Sequence, residues 1–347
     1  MLLGLAAAFL VISGMRASAN LIGPAFLALV LTIAVHPLRV RLDRHLWGWL
    51  STLLCVVLVA ALVMALALSL VVATARFATL LPQYKDDFNG LISDAAGLLD
   101  QAGVSSEQIQ HLLDGLDLGK VLGLASDALS DVYSLVSGLV LLLTLVMFMT
   151  VDGKSFPAQL AAAGRDRPDL VAALGTFARD TRRYLLVSTV FGFIAAVLDT
   201  VALALLDVPA PLLWGLLAFL TSYIPHIGFL ISLVPPAILA LLAGGPGLML
   251  AVVLVYLAVN FTIGSVIHPR VVGNSVGLTT TLTFLSLIFW AGVIGPLGAI
   301  LAVPLSILLR CLLVDADPAS RWLSPLVANR DPSHGSAAGI PESRPPA

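Results

Sequence analysis

An acidic residue, Asp199, stands inside an otherwise apolar stretch of this sequence, residues 184–206. A charged side chain at membrane depth is costly, and such residues usually mark a path for protons or ions. Asp199 lies about 6 Å outside the midpoint of the stretch, at 1.5 Å per helical residue. It is therefore a candidate for binding a proton or cation. In the alternative, it approaches the membrane surface or pairs with a helix N-terminus.

Two further polar side chains are candidates for contact with a solute. Asn260 falls within the apolar residues 246–267, where its amide can hydrogen-bond a solute or, equally, a neighbouring helix. His226 follows a proline, and an imidazole titrates near neutral pH. A plain turn residue is the alternative reading of His226.

Two common motifs of enzyme chemistry are absent from the sequence, which has no G-x-x-x-x-G-K-S/T phosphate loop and no H-E-x-x-H metal motif. The two cysteines, Cys55 and Cys311, lie in separate apolar stretches, so neither a disulfide nor a metal site is predicted. A net charge of −2 gives no basis for a nucleic-acid partner. We therefore predict a protein that is not an enzyme, needs no cofactor and handles a small-molecule solute.

The composition is typical of a protein embedded in membrane lipid. Of the 347 residues, 59% are hydrophobic and only 11% are charged, whereas soluble proteins carry about 25% charged residues. The mean hydropathy is +1.03. Runs such as 51–72 reach the roughly 17–25 residues that a helix needs to cross a bilayer. The sequence thus predicts an all-α, polytopic helical membrane protein.

The apolar segments divide the chain into parts. We place them at residues 2–15, 18–35, 49–73, 133–151, 184–206, 211–243, 246–267 and 278–313. About six are predicted to be full spans, and two to be re-entrant helical hairpins. The resulting domains are N-terminal membrane helices (1–75), an acidic external segment (76–132), a membrane helix with a basic linker (133–183), a transport core (184–314) and a tail (315–347).

Basic residues predict the orientation, because Lys and Arg accumulate on the cytoplasmic side. Residues 36–48 hold three arginines and residues 152–183 hold six basic residues, so both are predicted to be cytoplasmic. Residues 76–131 carry nine acidic residues against three basic ones, and their apolar positions recur at helical spacing, which indicates external amphipathic helices. The Ser-, Pro-, Gly- and Ala-rich tail is predicted to be disordered and, like the N-terminus, cytoplasmic.

The N-terminus has some features of a secretory signal, since residues 2–12 are apolar and Ala17-Ser18-Ala19 follows. No basic region precedes the apolar run, which favours a short first membrane helix over a cleaved signal. The same feature is also consistent with a start codon further upstream.

Two apolar segments have lengths that fit neither one span nor two. Residues 211–243 would form a straight helix of about 50 Å, against a hydrocarbon core of about 30 Å. Pro225 and Gly228 lie at its middle; Gly295, Pro296 and Gly298 lie near the middle of residues 278–313. A further proline follows each break, Pro235 and Pro304 respectively. Hairpins that enter from opposite sides would form an inverted repeat, whose interface is the usual transport site. The alternative is two ordinary helices kinked at proline.

Three motifs in this region resemble a known family. They are Ser222-Tyr223-Ile224-Pro225-His226-Ile227-Gly228, then Ile267-His268-Pro269-Arg270-Val271-Val272-Gly273 after Asn260, then Gly295-Pro296-Leu297-Gly298 with Val303-Pro304-Leu305. In this order they resemble the autoinducer-2 exporter family of bacterial PerM-like permeases. The resemblance extends over essentially the whole membrane part and is most specific over residues 184–311.

The resemblance implies an oligomeric secondary transporter of the bacterial inner membrane, because members are assigned to autoinducer-2 export and others to sodium/proton exchange. It adds Tyr223 and Pro269 to the transport-site candidates. Many members carry an acid where this chain has His268, and that departure weakens the inference of cation coupling through the loop.

Three functions follow as hypotheses. The first is a secondary exporter of a small solute, such as a signalling molecule of the autoinducer-2 type, through a site between the hairpins. The second is a monovalent cation/proton antiporter that depends on Asp199. The third is a membrane scaffold without transport activity, whose acidic external segment binds a partner.

Overall fold

The computed structural model describes residues 2–80, 83, 90, 138–153, 155–263 and 279–317. All regular structure within these ranges is helical, and four helices are long and apolar enough to cross a membrane. A bent pair of shorter helices, Gly138–Asp152 and Phe156–Ala163, makes a fifth candidate if it counts as one span. The prediction of a helical membrane protein is confirmed, while the count of six full spans stays a prediction.

The described residues contain the following helices in chain order. They are α1 (Leu2–Ala17), α2 (Ala19–Leu42), α3 (Gly48–Leu80), α4 (Gly138–Asp152), α5 (Phe156–Ala163), α6 (Pro168–Leu205), α7 (Pro211–Thr221), α8 (Gly228–Phe261), α9 (Thr280–Ile294), α10 (Pro296–Ile300) and α11 (Ala302–Arg310), with a π-helical turn at Cys311–Asp315. The chain breaks inside α8 at Gly245, whose φ of 74° and ψ of −171° are not helical. This break falls between the predicted segments 211–243 and 246–267.

Three helices extend further than the apolar pattern predicts: α2, α6 and α3, which runs to Leu80 rather than to residue 73. Helix α2 runs to Leu42, so part of the basic segment 36–48 is helical rather than a loop. Helix α6 begins at Pro168, well before residue 184, with proline at a first-turn position that suits its fixed φ. Its 38 residues span about 57 Å, so it must project beyond a hydrocarbon core of about 30 Å. Charged residues do not end a helix; hydropathy locates only its apolar part.

A buried arginine explains why α2 continues into its basic end. Arg39 is only 4% exposed, and its Nη1 donates a hydrogen bond to the Thr150 carbonyl in the last turn of α4. Carbonyls at a helix C-terminus lack intrahelical donors and carry partial negative charge, which a guanidinium satisfies. The Arg39 Nε also lies 3.7 Å from the Asp43 carboxylate. This charged contact thus holds α2 to α4 at the end of α2 that is predicted to lie on the cytoplasmic side.

A second arginine supplies a hydrogen bond that the backbone of α2 cannot make. Pro37 has no N–H, so the carbonyl of Ile33, four residues earlier, loses its helical donor. The Nε of Arg182, on α6, donates to that carbonyl at 3.2 Å. An unpaired carbonyl inside a membrane protein is costly. Arg182 therefore joins α6 to α2 at the point where the helix cannot satisfy itself.

Helix α6 is packed in two separate cores. In the first, which we call the Tyr184 core, its residues meet α2, α9 and α11; the buried side chains include Val30, Phe177, Tyr184, Trp290 and Leu305. In the second, the Tyr256 core, its C-terminal end meets α7 and both halves of α8; the buried side chains include Leu203, Trp214, Leu239, Val252 and Tyr256. A third core joins α2 to α3 and α4.

One face of α6 carries a row of exposed apolar side chains. Its exposed apolar side chains include Leu186, Val190, Phe193, Val197 and Val201. These residues recur at three- and four-residue spacing, which places them along one side of the helix. Such a stripe is expected where a helix faces lipid.

Several predicted features lie outside the described residues. These are nearly all of the acidic segment 76–132, the loop that contains His268, Pro269 and Arg270, and the tail from residue 318.

Candidate functional site: two paired helical hairpins

The first candidate hairpin breaks where the sequence predicts. Helix α7 ends at Thr221 and α8 begins at Gly228. Between them, the Ile227 N–H donates to the Pro225 carbonyl at 2.7 Å, which closes a three-residue turn around His226. His226 has a φ of 64°, a value rare for residues other than glycine. The exposed imidazole thus stands at the tip of a tight, strained turn.

Gly228 is required by the close approach of the two helices. A β-carbon at this position would lie inside the van der Waals radius of the Thr221 carbonyl oxygen, an atom of the backbone that cannot move aside. Only glycine allows α8 to begin directly against the end of α7. The backbone N–H of Gly228 donates a hydrogen bond to the Ile224 carbonyl at 3.0 Å, and this bond stabilises the turn.

The second candidate hairpin uses the same device. Helix α9 ends at Ile294, and Gly295 reverses the backbone with a φ of 81° and ψ of −152° before α10 begins at Pro296. A β-carbon on Gly298 would collide with the Trp290 carbonyl, just as one on Gly228 would collide with Thr221. Both breaks therefore place a glycine against a carbonyl near the end of the preceding helix.

The arms of the second hairpin lie side by side. The indole Nε1 of Trp290, on α9, donates to the hydroxyl of Ser306, on α11, at 3.0 Å. In one straight helix these residues would be about 24 Å apart. Pro304 is buried in α11 beside them. The chain therefore folds back on itself between Trp290 and Ser306.

Small residues bring α7 close to α6. A β-carbon on Gly215 would overlap the Thr200 hydroxyl, and one on Gly192 would overlap the Ser222 hydroxyl. Small side chains at an interface let membrane helices approach closely. Because Gly215 lies opposite Thr200 and Ser222 opposite Gly192, α7 runs antiparallel to α6.

Hydroxyl groups from α6 surround the first turn. The Tyr184 hydroxyl donates to the Tyr223 carbonyl at 2.7 Å, and the Tyr223 hydroxyl lies 2.8 Å from that of Thr189. Thr189 already gives its single hydroxyl proton to the Leu185 carbonyl at 2.7 Å. Tyr223 must then be the donor to Thr189, which leaves the lone pairs of its own oxygen free to accept.

The two turns pack against one core. Ile224 and Ile227 of the first turn pack against the Tyr184 core, to which Ile294 and Leu301 of the second hairpin belong. The second turn also contacts α2, where a β-carbon on Gly23 would lie 3.2 Å from Ile294 and 3.3 Å from Leu297.

Asp199 is buried away from this junction. It is 1% exposed and Tyr256 is 0% exposed, and the two groups interact electrostatically. Within the described ranges, neither Asp199 Oδ1 nor the Tyr256 hydroxyl has a hydrogen-bond partner. One turn after Tyr256, the Asn260 amide donates to the Tyr256 carbonyl at 2.9 Å. Asn260 therefore bonds to its own helix.

The predicted site residues form two groups. Asp199 and Asn260 lie near Tyr256, whereas the hairpin residues surround the Tyr184 core; these are Tyr223, Pro225, His226, Gly228, Gly295, Pro296, Gly298 and Pro304. Asp199 is about 22 Å from Tyr184 along α6. Sequence reasoning missed Tyr184, Thr189 and Tyr256. The sequence signal that could have identified Tyr184 and Thr189 was a group of polar side chains at the start of the apolar residues 184–206, directly after Arg182 and Arg183.

These features define the class as a polytopic helical membrane protein whose apolar helices break at Pro225–Gly228 and at Gly295–Gly298. The chain belongs to the AI-2E family of transporters, whose model matches residues 1–314. The family assignment predicted from the motifs is therefore confirmed, and it is a family of transporters rather than of enzymes.

Three relatives show how far the similarity extends. The chain is 31% identical over 309 residues to the AI-2 transport protein TqsA of Escherichia coli K12, covering 88% of each chain. It is 29% identical over 331 residues to a candidate transport protein of Haemophilus influenzae, covering 92% of this chain and 94% of the relative. The candidate transport protein YhhT of Escherichia coli K12 is 28% identical over 308 residues, with 88% and 87% covered.

Proposed function

We propose that this membrane transporter is a secondary exporter of a small solute, which passes between two re-entrant hairpins that enter the bacterial inner membrane from opposite sides. The observation that carries the proposal is the shared Tyr184 core, against which both hairpin turns pack. Irregular backbone at membrane depth is tolerated where it is buried in protein or lines a water-filled cavity. Transport sites commonly lie at the interface of such inverted units.

The proposed orientation, with both termini cytoplasmic, makes the hairpins overlap in depth. Arg182 of α6 meets Ile33 of α2, so these residues share one level. The second turn contacts Gly23, which lies about 15 Å from Ile33 along α2. The first turn contacts Thr189, which lies about 10 Å from Arg182 along α6. If α2 and α6 cross in opposite directions, each turn reaches the level of the other. A solute leaving one hairpin would then meet the other without crossing lipid.

We further propose that the solute is small and polar, of the autoinducer-2 type that the name of TqsA indicates for that relative. The hydroxyls of Tyr223 and Thr189 support this, because the Tyr223 oxygen retains acceptor capacity. Hydroxyl groups without a formal charge suit a neutral solute rich in donors. A homo-oligomeric assembly belongs to the same proposal.

The test has two stages. The first is an untargeted comparison of exported metabolites between deletion and overexpressing cells, which identifies the solute. The second measures the efflux of that solute from proteoliposomes for Tyr223→Phe and Thr189→Val, each expected to lower the rate about five-fold through loss of one hydrogen bond.

Thr144→Val is the matched control for the efflux assay. Thr144 also bonds to the carbonyl four residues earlier, that of Val140, but it lies on α4, away from the turn. Equal efflux in all three variants and the wild type would refute the proposed path.

A second candidate function, monovalent cation/proton antiport, is favoured by the buried Asp199. A carboxylate without a hydrogen-bond partner among the described residues, beside an equally unpartnered phenol, is suited to exchanging a proton for a cation. If this function holds, sodium added to proteoliposomes dissipates a preset pH gradient, and Asp199→Asn abolishes the effect.

Asp207→Asn supplies the control for antiport. Asp207 is exposed in the loop after α6, and its φ of 53° is one that asparagine adopts readily. The chemical change is identical, but only Asp199 is buried. Sodium-dependent dissipation that survives in Asp199→Asn would exclude Asp199 as the exchanging group.

A further inference from the structure

Arg39, His36 and Arg182 converge where α2, α4 and α6 meet. His36 lies near enough to both arginines to feel their charges, and the Asp43 carboxylate is the acid in the same neighbourhood. With histidine neutral, two guanidinium groups face one carboxylate. The group therefore carries a net positive charge at the end of three membrane helices.

The arginines have donors left over after their structural contacts. Arg39 gives Nη1 to the Thr150 carbonyl, while its Nη2 and Nε are buried without a hydrogen bond in the described part of the chain. Among the described residues, Arg182 donates only its Nε, to the Ile33 carbonyl. A buried donor without a partner is costly, and most in a charged group. The half-buried Arg182 therefore keeps terminal guanidinium N–H groups that have no acceptor among the described residues.

Asp43 does not satisfy them. Its carboxylate accepts a hydrogen bond from Ser51 and lies 3.7 Å from Arg39 Nε, which is an ion pair without a hydrogen bond. The other charged residues on the same helix ends are mainly basic: Arg41, Arg44, Arg179 and Arg183, with Asp152 and Asp180 as the acids. The surroundings therefore favour an anion.

We infer that this basic pocket, defined by His36, Arg39 and Arg182, binds the phosphate of an anionic phospholipid headgroup in the adjacent leaflet. Guanidinium groups match phosphate oxygens in paired, charge-assisted hydrogen bonds. Basic pockets between membrane helices on the cytoplasmic side are suited to anionic headgroups. The exposed apolar side chains of Leu38 and Val40, on the same turns of α2, would lie against the acyl chains of such a lipid.

The test measures the thermal stability of the full chain in neutral detergent while phosphatidylglycerol, phosphatidylcholine or inorganic phosphate is added. Phosphatidylglycerol is expected to raise the melting temperature in a saturable way, and phosphatidylcholine is not. Arg182→Gln, which keeps a donor for Ile33 but removes the charge, should weaken the apparent affinity for phosphatidylglycerol about ten-fold or more. Arg44→Gln removes the same charge from the exposed loop and should leave the affinity unchanged.

If Arg182→Gln fails to fold, the same measurement can be made in a Pro37→Ala background. Alanine at position 37 restores the helical donor for Ile33, so Pro37→Ala/Arg182→Gln tests the charge without the structural bond. Equal affinities in the Arg182 and Arg44 variants would overturn the inference. So would a stabilisation by inorganic phosphate equal to that by phosphatidylglycerol, which would assign the pocket to free phosphate.

Discussion

Single residues in this protein act mainly by completing backbone hydrogen bonds that the helices leave open. Arg182 serves the carbonyl exposed by Pro37, and Arg39 serves a carbonyl at the end of α4. In lipid no water is available for such groups, so a side chain from another helix must supply the donor. The arginines that sequence reasoning reads as markers of orientation are therefore also structural.

The bond between Arg182 and Ile33 gives a prediction for stability. Arg182→Met should lower the free energy of unfolding by about 1–2 kcal/mol, as expected for an interhelical hydrogen bond in a membrane. In a Pro37→Ala background the loss should be smaller, because the alanine N–H bonds to Ile33. Thermal melts of the two single variants and the double variant in detergent measure the coupling. Arg179→Met, exposed on the same helix, is the control; additive effects would contradict the assignment.

For single residues, the sequence identifies Asp199 as a candidate but does not identify Tyr256 as its neighbour. An acid in an apolar run is visible without a structure, whereas Tyr256 looks like any aromatic residue in a span. Their proximity depends on the break at Gly245, which aligns the second half of α8 with α6. A pairing between residues so far apart in the chain cannot be read from local spacing.

Among the helices, the two glycines at the hairpin breaks have equivalent roles. Gly228 and Gly298 each lie against a carbonyl near the end of the preceding helix, where a β-carbon does not fit. The breaks themselves were predictable, because proline and glycine interrupt apolar segments of the wrong length. The carbonyl contacts were not, because they depend on how tightly the helices close.

Alanine at these glycines should destabilise the protein. Gly228→Ala and Gly298→Ala are each expected to lower the free energy of unfolding by about 1–3 kcal/mol through overpacking. Gly292→Ala is the control, since a β-carbon there meets nothing within 4 Å among the described residues. It should raise stability by about 0.5–1 kcal/mol, because glycine is a poor helix former. Melting curves in detergent separate these outcomes, and equal effects at the three glycines would show that helix propensity alone is responsible.

Helix lengths show what hydropathy does not determine. Helices α2 and α6 continue through residues that their charge assigns to loops, because Arg39 and Arg182 each donate a hydrogen bond to a carbonyl of another helix. For α2 and α6 the apolar pattern therefore located the apolar part of each helix but not its charged end.

For the whole molecule, the proposed orientation makes a prediction for chemical labelling. Asp207→Cys should react with a membrane-impermeant maleimide in intact cells, whereas Arg165→Cys should react only after permeabilisation. The native Cys55 and Cys311 are each 1% exposed, so they should contribute little background. The reverse pattern of labelling would invert the orientation and with it the direction from which each hairpin enters.

The shared Tyr184 core has a consequence for how the protein is made. Helices α9 and α11, which complete this core, are synthesised after the first hairpin. Until they are made, the turn of the first hairpin lacks the side chains that cover it in the finished protein. A chain interrupted before residue 280 would carry strained, polar backbone at membrane depth with no partner. We expect the membrane's quality-control proteases to remove such fragments, so that biogenesis of this transporter depends on its C-terminal helices arriving promptly at the translocon.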